Sequence, residues 1–156
     1  MLILLDIDGV MVPANSWQKP DLLEDGFLAF SLKAVAALQR IIDATGAGIM
    51  LTTSHKSNYP ISRWKDIFAL RGIATVEVNS LSSNSLLISR KEEILAWYAD
   101  QGTPPEHFVI LDDDKGLNNL PAHIKSHLVL TSSSVGLTDE LAATAITILQ
   151  KNSGHY

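Results

Sequence analysis

The sequence predicts a single α/β domain built on a mostly parallel, doubly wound sheet of about five strands. Three observations predict this class. Short apolar runs, typical of strands buried on both faces, alternate with segments of helical periodicity. Strands that are separated by helices imply parallel pairing. No internal repeat or linker divides residues 1–156, so we expect one domain.

Five apolar runs predict the strands in chain order. The first precedes Asp6, the second and fourth end at polar residues, and the third is rich in β-branched side chains. The predicted strands are residues 1–5, 47–51, 73–78, 108–111 and 127–131.

Helical periodicity predicts the helices between and after these strands. They are residues 30–44, 60–70, 90–100 and a closing helix over about 138–151. Ser31 is a candidate N-cap, and Gly46 lies where a left-handed residue often ends a helix. Pro60 suits a first helical turn, and Thr138 precedes an acidic first turn.

Composition narrows the class of protein. With 46% hydrophobic and 19% charged residues the chain has an ordinary globular mixture. It contains no cysteine, which excludes disulfides and fits a cytoplasmic setting. The first apolar run is broken by Asp6, so we expect neither a signal peptide nor a membrane span. A net charge of −5 argues against broad nucleic-acid binding, although a single phosphorylated end could still bind.

Acidic side chains follow two of the predicted strands. Asp6 and Asp8 follow the first, where Gly9 allows a tight turn, and Asp112 and Asp113 follow the fourth. Parallel strands end at one edge of the sheet, which is where ligands bind. Neighbouring carboxylates repel unless a cation or a proton intervenes, and their oxygens suit Mg²⁺. The sequence therefore predicts a magnesium site; the alternative is an Asp-Gly turn beside a solvated acidic loop.

Hydroxyl groups end the second predicted strand at Thr52 and Thr53. They are candidates for the same site, although such residues also bond to the backbone at strand ends. His55 and Lys56 come next, and we expect them in a surface loop, with contact to a substrate as the alternative. The histidines of the chain do not have the spacing of zinc ligands.

Taken in order, these residues resemble the motifs of the haloacid dehalogenase (HAD) superfamily, in its capless phosphatase branch. The resemblance covers about residues 1–135. The chain is most similar to the HAD domain of Swiss Army knife RNA repair proteins and to the 3′-phosphatase domain of polynucleotide kinase-phosphatases. The matching residues are Asp6, Asp8 and Gly9 (motif I), Thr52 (motif II), Lys91 (motif III), and Asp112 with Asp113 (motif IV).

This resemblance implies a Rossmann-like HAD domain and a phosphatase mechanism. Asp6 would be the nucleophile that forms an aspartyl-phosphate, and Asp8 the general acid and base. Dehalogenases lack this second acid, so Asp8 favours phosphoryl transfer to water. Thr52 would bind a phosphoryl oxygen, and Lys91 would offset negative charge.

The resemblance also implies a Mg²⁺ cofactor and a set of residues beside the substrate. The metal would be held by the Asp6 carboxylate, the Asp8 backbone carbonyl, and Asp112 or Asp113. Arg90 is the alternative to Lys91 as the motif III cation. The residues expected beside the substrate are Gly9, Thr53 and Arg90.

Neither gap in which the superfamily inserts a cap domain is long enough for one. The flap at about Pro13–Gly26 and the stretch Asn79–Ser89 are both short, so an open site is expected. An open site suits a large phosphorylated substrate, such as a nucleic-acid end in RNA or DNA repair, or a site completed by another subunit. Trp17 in the flap either anchors its own loop or stacks on a base.

Two other functions stay open at this point. One is a phosphatase that acts on a small molecule or a phosphoprotein, which the lack of an obvious basic groove favours. The other is a catalytically silent module that binds a metal. Oligomeric state is left open.

Overall fold

The protein contains the parallel β-sheet that the sequence predicts. The computed structural model describes residues 1–14, 21–74, 77–81, 89–103 and 105–151. Its strands are β1 (Leu2–Leu5), β2 (Gly48–Leu51), β3 (Val78–Ser80), β4 (Phe108–Asp112) and β5 (Leu128–Leu130). Within the described residues all five pair in parallel, in the order β3-β2-β1-β4-β5. The predicted α/β class is confirmed.

Helices cover both faces of this sheet. They are α1 (Leu32–Thr45), α2 (Ile61–Leu70), α3 (Arg90–Ala99), α4 (Ala122–Lys125) and α5 (Asp139–Gln150). Along β1, Ile3 and Leu5 pack with α1, α2 and α5, whereas Leu4 packs with α3 and α4. This alternation follows from the two-residue period of a strand, and it explains why the strands are apolar throughout.

Helix boundaries follow the capping residues. The Ser31 hydroxyl accepts a hydrogen bond from the Ala34 N–H at 3.0 Å, so α1 begins at Leu32 and not at residue 30 as predicted. Gly46 ends this helix with φ of 71°. Thr138 caps α5 through the Leu141 N–H. None of the helices among the described residues combines the length and apolar character needed to cross a membrane.

The third strand was predicted too early in the chain. Residues 73–78 were expected, but the strand runs from Val78 to Ser80, and residues 75–76 lie outside those described. Pairing with β2 decides the position, since Ile49 lies opposite Val78. Ile73 is buried in the core as a loop residue instead. β-Branched residues therefore indicated burial here but not strand pairing.

An ion pair between Asp25 and the buried Arg71 anchors the C-terminal end of the predicted flap. Residues 15–20, including Trp17, lie outside the described part of the chain. Just after them, the buried guanidinium of Arg71 donates to both Asp25 carboxylate oxygens at 2.7 and 3.1 Å and lies over the Phe27 and Phe30 rings. Hydrogen bonds from Arg71 hold the pKa of the Asp25 carboxyl below its usual value. The sequence analysis did not identify this pair.

Replacing Asp25 by Asn should destabilise the fold in a pH-dependent way. Because the folded-state pKa of Asp25 lies below the usual 3.8, its contribution is present above that pH and is lost as the pH falls through the lowered pKa. We expect Asp25→Asn to cost about 2 kcal/mol of unfolding free energy at pH 7. Chemical denaturation at a series of pH values measures the cost.

The matched control is Asp66→Asn, which removes an exposed carboxylate from α2. It should change stability little at any pH. A loss in Asp25→Asn that is equally large at pH 3 and pH 7 would contradict a role for the ionised carboxylate.

Candidate active site

Backbone hydrogen bonds bring the ends of the three central strands together. The Asp6 N–H donates to the Leu111 carbonyl at 3.1 Å, and the Thr52 N–H donates to the Leu5 carbonyl at 2.9 Å. Asp6 therefore lies between the residues that follow β2 and those that end β4. The prediction that these chain segments meet at one edge is confirmed by the sheet order.

Acidic side chains converge at this edge. Among the described residues, carboxylate oxygens of Asp6, Asp112 and Asp113 lie within 4.8 Å of one another. Asp6 and Asp112 are buried. Burial, together with repulsion from Asp112, raises the pKa of Asp6 to about 8, and burial also raises the pKa of Asp112. With all three carboxylates ionised, the group would hold more negative charge than its surroundings offset, and its oxygen donors fit Mg²⁺.

Arg90 supplies a cation to this group from the first turn of α3. Its Nη1 donates to Asp112 Oδ2 at 2.6 Å and lies 3.4 Å from Asp6 Oδ1. Burial would lower the pKa of Arg90, but attraction to Asp112 and Asp6 outweighs it and raises this pKa. Ser89 fixes the start of the helix by accepting from the Glu92 N–H. The single positive charge of Arg90 would not balance three ionised carboxylates.

Lys91 lies one position further along α3 and is half-buried. Among the hydrogen bonds and ion pairs between described residues, none joins Lys91 to Asp6, Asp112 or Asp113. Successive helical residues point about 100° apart, and α3 turns Arg90 toward the strand ends. The structure therefore brings Arg90, the alternative cation of motif III, into contact with Asp6 and Asp112.

Gly9 makes room for one of the carboxylates. Its φ is +80°, and a Cβ at this position would overlap the carboxylate of Asp113. The Gly9 carbonyl accepts a hydrogen bond from the buried Thr131 hydroxyl at 2.7 Å, which ties the turn to the end of β5. Glycine is therefore needed both for backbone conformation and for close approach.

The Asp8 carboxylate does not belong to the group of three among the described residues. β1 ends at Leu5, and the chain then turns as the Val10 N–H bonds back to the Ile7 carbonyl. The alternation of a strand therefore does not extend to residue 8. The Asp8 side chain is 53% exposed, and its Oδ2 lies 2.9 Å from Nε2 of His55.

The two threonines have different surroundings. The Thr52 side chain is fully buried, and its hydroxyl has no hydrogen-bond partner within the part of the chain that the structure describes. A buried hydroxyl without a partner is uncommon, so Thr52 is free to bond to a water or to a group bound at this edge of the sheet. Thr53 is also buried, but its hydroxyl accepts from the His55 N–H at 3.3 Å. The Thr53 side chain therefore holds the turn.

The expectation of a surface loop at His55 and Lys56 is wrong for Lys56. This residue is only 8% exposed, and its Nζ lies 2.9 Å from Oε2 of Glu93 on α3. Its carbonyl accepts from the indole N–H of Trp64. Local sequence gave no signal of this burial, because the partner acid lies on another helix.

Comparison with known proteins identifies the family. Residues 2–142 match the model of the HAD domain in Swiss Army Knife RNA repair proteins. The chain belongs to this family. Neither the curated proteins nor the solved structures gave a significant match. The resemblance to the HAD superfamily and to its Swiss Army knife RNA repair domain is thus confirmed, and membership of this HAD family supports a phosphatase activity.

Removal of the Arg90 charge should destabilise the metal-free protein far more than removal of the neighbouring charge. Arg90→Met leaves buried carboxylates without their cation, which costs about 3 kcal/mol. Lys91→Met should cost less than about 0.5 kcal/mol. Denaturation in EDTA compares the two variants, and an equal or larger loss in Lys91→Met would contradict the assignment of Arg90.

Proposed function

We propose that the protein is a Mg²⁺-dependent phosphatase that hydrolyses a phosphate monoester through an aspartyl-phosphate on Asp6. The observation that carries this proposal is the convergence of buried Asp6 with Asp112 and Asp113 beside one arginine. The hydroxyl of Thr52, on the adjoining strand end, has no partner among the described residues, which supports a phosphoryl group as the ligand.

The acidic group offers what Mg²⁺ requires. The carboxylates of Asp6 and of Asp112 or Asp113, with the Asp8 backbone carbonyl, would hold the ion. When bound, Mg²⁺ would reduce repulsion between Asp6 and the phosphate and stabilise charge in the transition state. Its charge would also favour ionised Asp6, whose pKa burial raises to about 8 in the chain alone.

In the first half-reaction, an Asp6 carboxylate oxygen attacks phosphorus. The new bond between Asp6 and phosphorus forms as the bond to the leaving oxygen breaks. The protonated Asp8 side chain gives its proton to that oxygen, which departs as an alcohol. The exposure of Asp8 allows it to reach a substrate from the open side of the site.

In the second half-reaction, water attacks the phosphorus of the aspartyl-phosphate. The Asp8 carboxylate takes a proton from this water as the bond between phosphorus and Asp6 breaks. Inorganic phosphate leaves, and both aspartates return to their starting states. Thr52 donates its hydroxyl hydrogen to a phosphoryl oxygen, while Arg90 offsets the charge of Asp6 and Asp112.

We propose a phosphorylated nucleic-acid end, formed during RNA or DNA repair, as the substrate class. The family's description as a domain of RNA repair proteins supports this proposal. The short segments after β1 and β3 also support it, since neither is long enough for a cap domain that would close over a small substrate.

A second candidate is a phosphatase of small molecules or phosphoproteins. One observation favours it: Arg90 at the site is paired with Asp112, and Lys56 in the loop after β2 is paired with Glu93. They therefore offer little unpaired positive charge to a nucleic-acid backbone, on which affinity usually depends.

Asp6→Asn should abolish turnover while the fold is retained. The amide cannot act as the nucleophile, so we expect a loss of at least about 1,000-fold in kcat, on the scale of removing a catalytic nucleophile. The assay is phosphate release from a generic monoester with Mg²⁺, repeated in EDTA. Asp66→Asn is the control. If the wild-type protein shows no EDTA-sensitive turnover on any monoester, the silent metal-binding module is correct instead.

Substrate class can be tested with four phosphate sources. They are 3′-phosphorylated oligonucleotides, 5′-phosphorylated oligonucleotides, nucleotides and sugar phosphates. Repair of nucleic-acid ends predicts the highest kcat/KM for an oligonucleotide. Equal values for all four would contradict it.

Gly9→Ala should weaken Mg²⁺ binding, and Gly26→Ala should not. Both glycines have positive φ, at +80° and +79°, so both alanines strain the backbone by about 1 kcal/mol. Only at Gly9 would the added Cβ displace the Asp113 carboxylate, since no atom of the described residues lies within 4 Å of a Cβ at Gly26. Calorimetric titration with Mg²⁺ measures the affinity, and equal affinity in the two variants would contradict the role of Gly9.

A further inference from the structure

His55 contacts Asp8 but takes no part in bond making or breaking in either half-reaction. Nε2 of His55 lies 2.9 Å from Oδ2 of Asp8, which is hydrogen-bonding distance. More than half of the Asp8 side chain is exposed, whereas 27% of the His55 side chain is. An exposed aspartate ordinarily samples several rotamers, so a fixed partner changes what its carboxylate can do.

His55 is itself held from several sides. Its ring packs edge-on against Phe27, with centroids 5.4 Å apart and planes at 87°. Its backbone N–H donates to the Thr53 hydroxyl. The next residue, Lys56, is anchored by the Trp64 indole and by Glu93. The imidazole is therefore a more rigid group than the carboxylate that it contacts.

Arg71 extends this support to the loop that carries Phe27. The guanidinium lies 5.4 Å from the centre of the Phe27 ring and donates to the Leu28 carbonyl at 2.9 Å. The ring that packs against His55 is thus fixed to the end of α2. A chain of contacts leads from the core to Asp8 through Arg71, Phe27 and His55.

We propose that His55 is a positioning residue that orients the Asp8 carboxyl for proton transfer. This inference rests on the proposed function. The hydrogen bond occupies Oδ2 and leaves Oδ1 of Asp8 to face the substrate. The contact can form in either protonation state of Asp8, because Oδ2 can accept from the Nε2–H of His55 whether or not Oδ1 carries a proton.

The step that His55 assists is the departure of the alcohol. As the Asp6 oxygen bonds to phosphorus, the bond from phosphorus to the leaving oxygen breaks, and its electron pair takes the proton from Oδ1 of Asp8. In the second half-reaction the same oxygen takes a proton from water, so Asp8 is restored. His55 keeps its protons throughout. A freely rotating Asp8 would spend less time in this geometry.

The leaving group distinguishes positioning from a purely structural role. An alkyl alkoxide is a poor leaving group and needs protonation, whereas p-nitrophenolate leaves readily without it. A variant that disturbs only the orientation of Asp8 therefore has a lower kcat/KM on an alkyl phosphate and an almost unchanged kcat/KM on p-nitrophenyl phosphate. A variant that disturbs the fold or the nucleophile loses activity on both.

His55→Phe and His55→Gln test the proposal. Phenylalanine keeps the packing against Phe27 but cannot bond to Asp8. Glutamine places its amide nitrogen as many bonds from Cβ as Nε2 of histidine, so it can restore the bond without the ring. We expect His55→Phe to lower kcat/KM on the alkyl phosphate by about 10- to 100-fold, within the range of general acid catalysis. On p-nitrophenyl phosphate the loss of kcat/KM should stay below about threefold. This quantity ends with departure of the leaving group, so it does not include hydrolysis of the aspartyl-phosphate, in which Asp8 also takes a proton.

His55→Gln should recover most of the lost activity. His123→Phe is the matched control, because His123 is an exposed residue of α4 that packs near Tyr98. Thermal unfolding checks that each variant is folded. If His55→Phe does not fold, His55→Gln and His55→Leu carry the same comparison of leaving groups.

Three results would overturn the inference. They are an equal loss of kcat/KM on both substrates, no loss of kcat/KM on the alkyl phosphate, and a His55→Gln variant as impaired as His55→Phe. Failure of the proposed function is a different result, since the wild-type protein would then show no turnover that depends on Asp6. Turnover that depends on Asp6 but not on His55 overturns this inference alone.

Discussion

The structure depends on an electrostatic imbalance at the junction of β1 and β4. Parallel pairing of these strands forces Asp6 next to Asp112, and both are buried where water cannot screen them. The cost shows in the pKa of Asp6, which burial and Asp112 raise to about 8. Arg90 relieves part of the repulsion. A divalent cation would relieve the rest, so the same imbalance that strains the fold prepares the site for a metal and a phosphate.

The surrounding fold holds this junction in place with contacts from distant parts of the chain. Gly9 leaves space for Asp113, and Thr131 ties the Gly9 carbonyl to β5. On the opposite side, Lys56 pairs with Glu93 and so joins the loop after β2 to α3. Residues from four strands and one helix thus converge, and none of them could form the site alone. This explains why motifs that are short in sequence are informative as an ordered set.

Much of this arrangement could be predicted because it follows from strand periodicity. Apolar runs located the strands that end near Asp6, Thr52 and Asp112, and parallel pairing then required their ends to meet. Helix caps such as Ser31 could also be predicted, because a capping side chain bonds to a backbone N–H only three residues further along the chain. Features that depend on residues close in sequence, such as strands and helix caps, could therefore be predicted.

Contacts between distant elements could not be predicted in the same way. The choice between Arg90 and Lys91 depends on how α3 is rotated against the sheet, which helical periodicity alone does not specify. The burial of Lys56 depends on Glu93 and Trp64. Val78 begins its strand later than the β-branched run suggested, because register with β2 decides pairing. The bond between His55 and Asp8 was not predicted, since Asp8 follows the neighbouring strand β1 and is distant in sequence.

A crystal structure with Mn²⁺ in place of Mg²⁺ tests the central claim most directly, because the anomalous signal of the ion gives its position. We predict one peak within coordination distance of carboxylate oxygens from Asp6 and from Asp112 or Asp113. A peak elsewhere, or carboxylates of β1 and β4 too far apart to share one ion, would contradict the account.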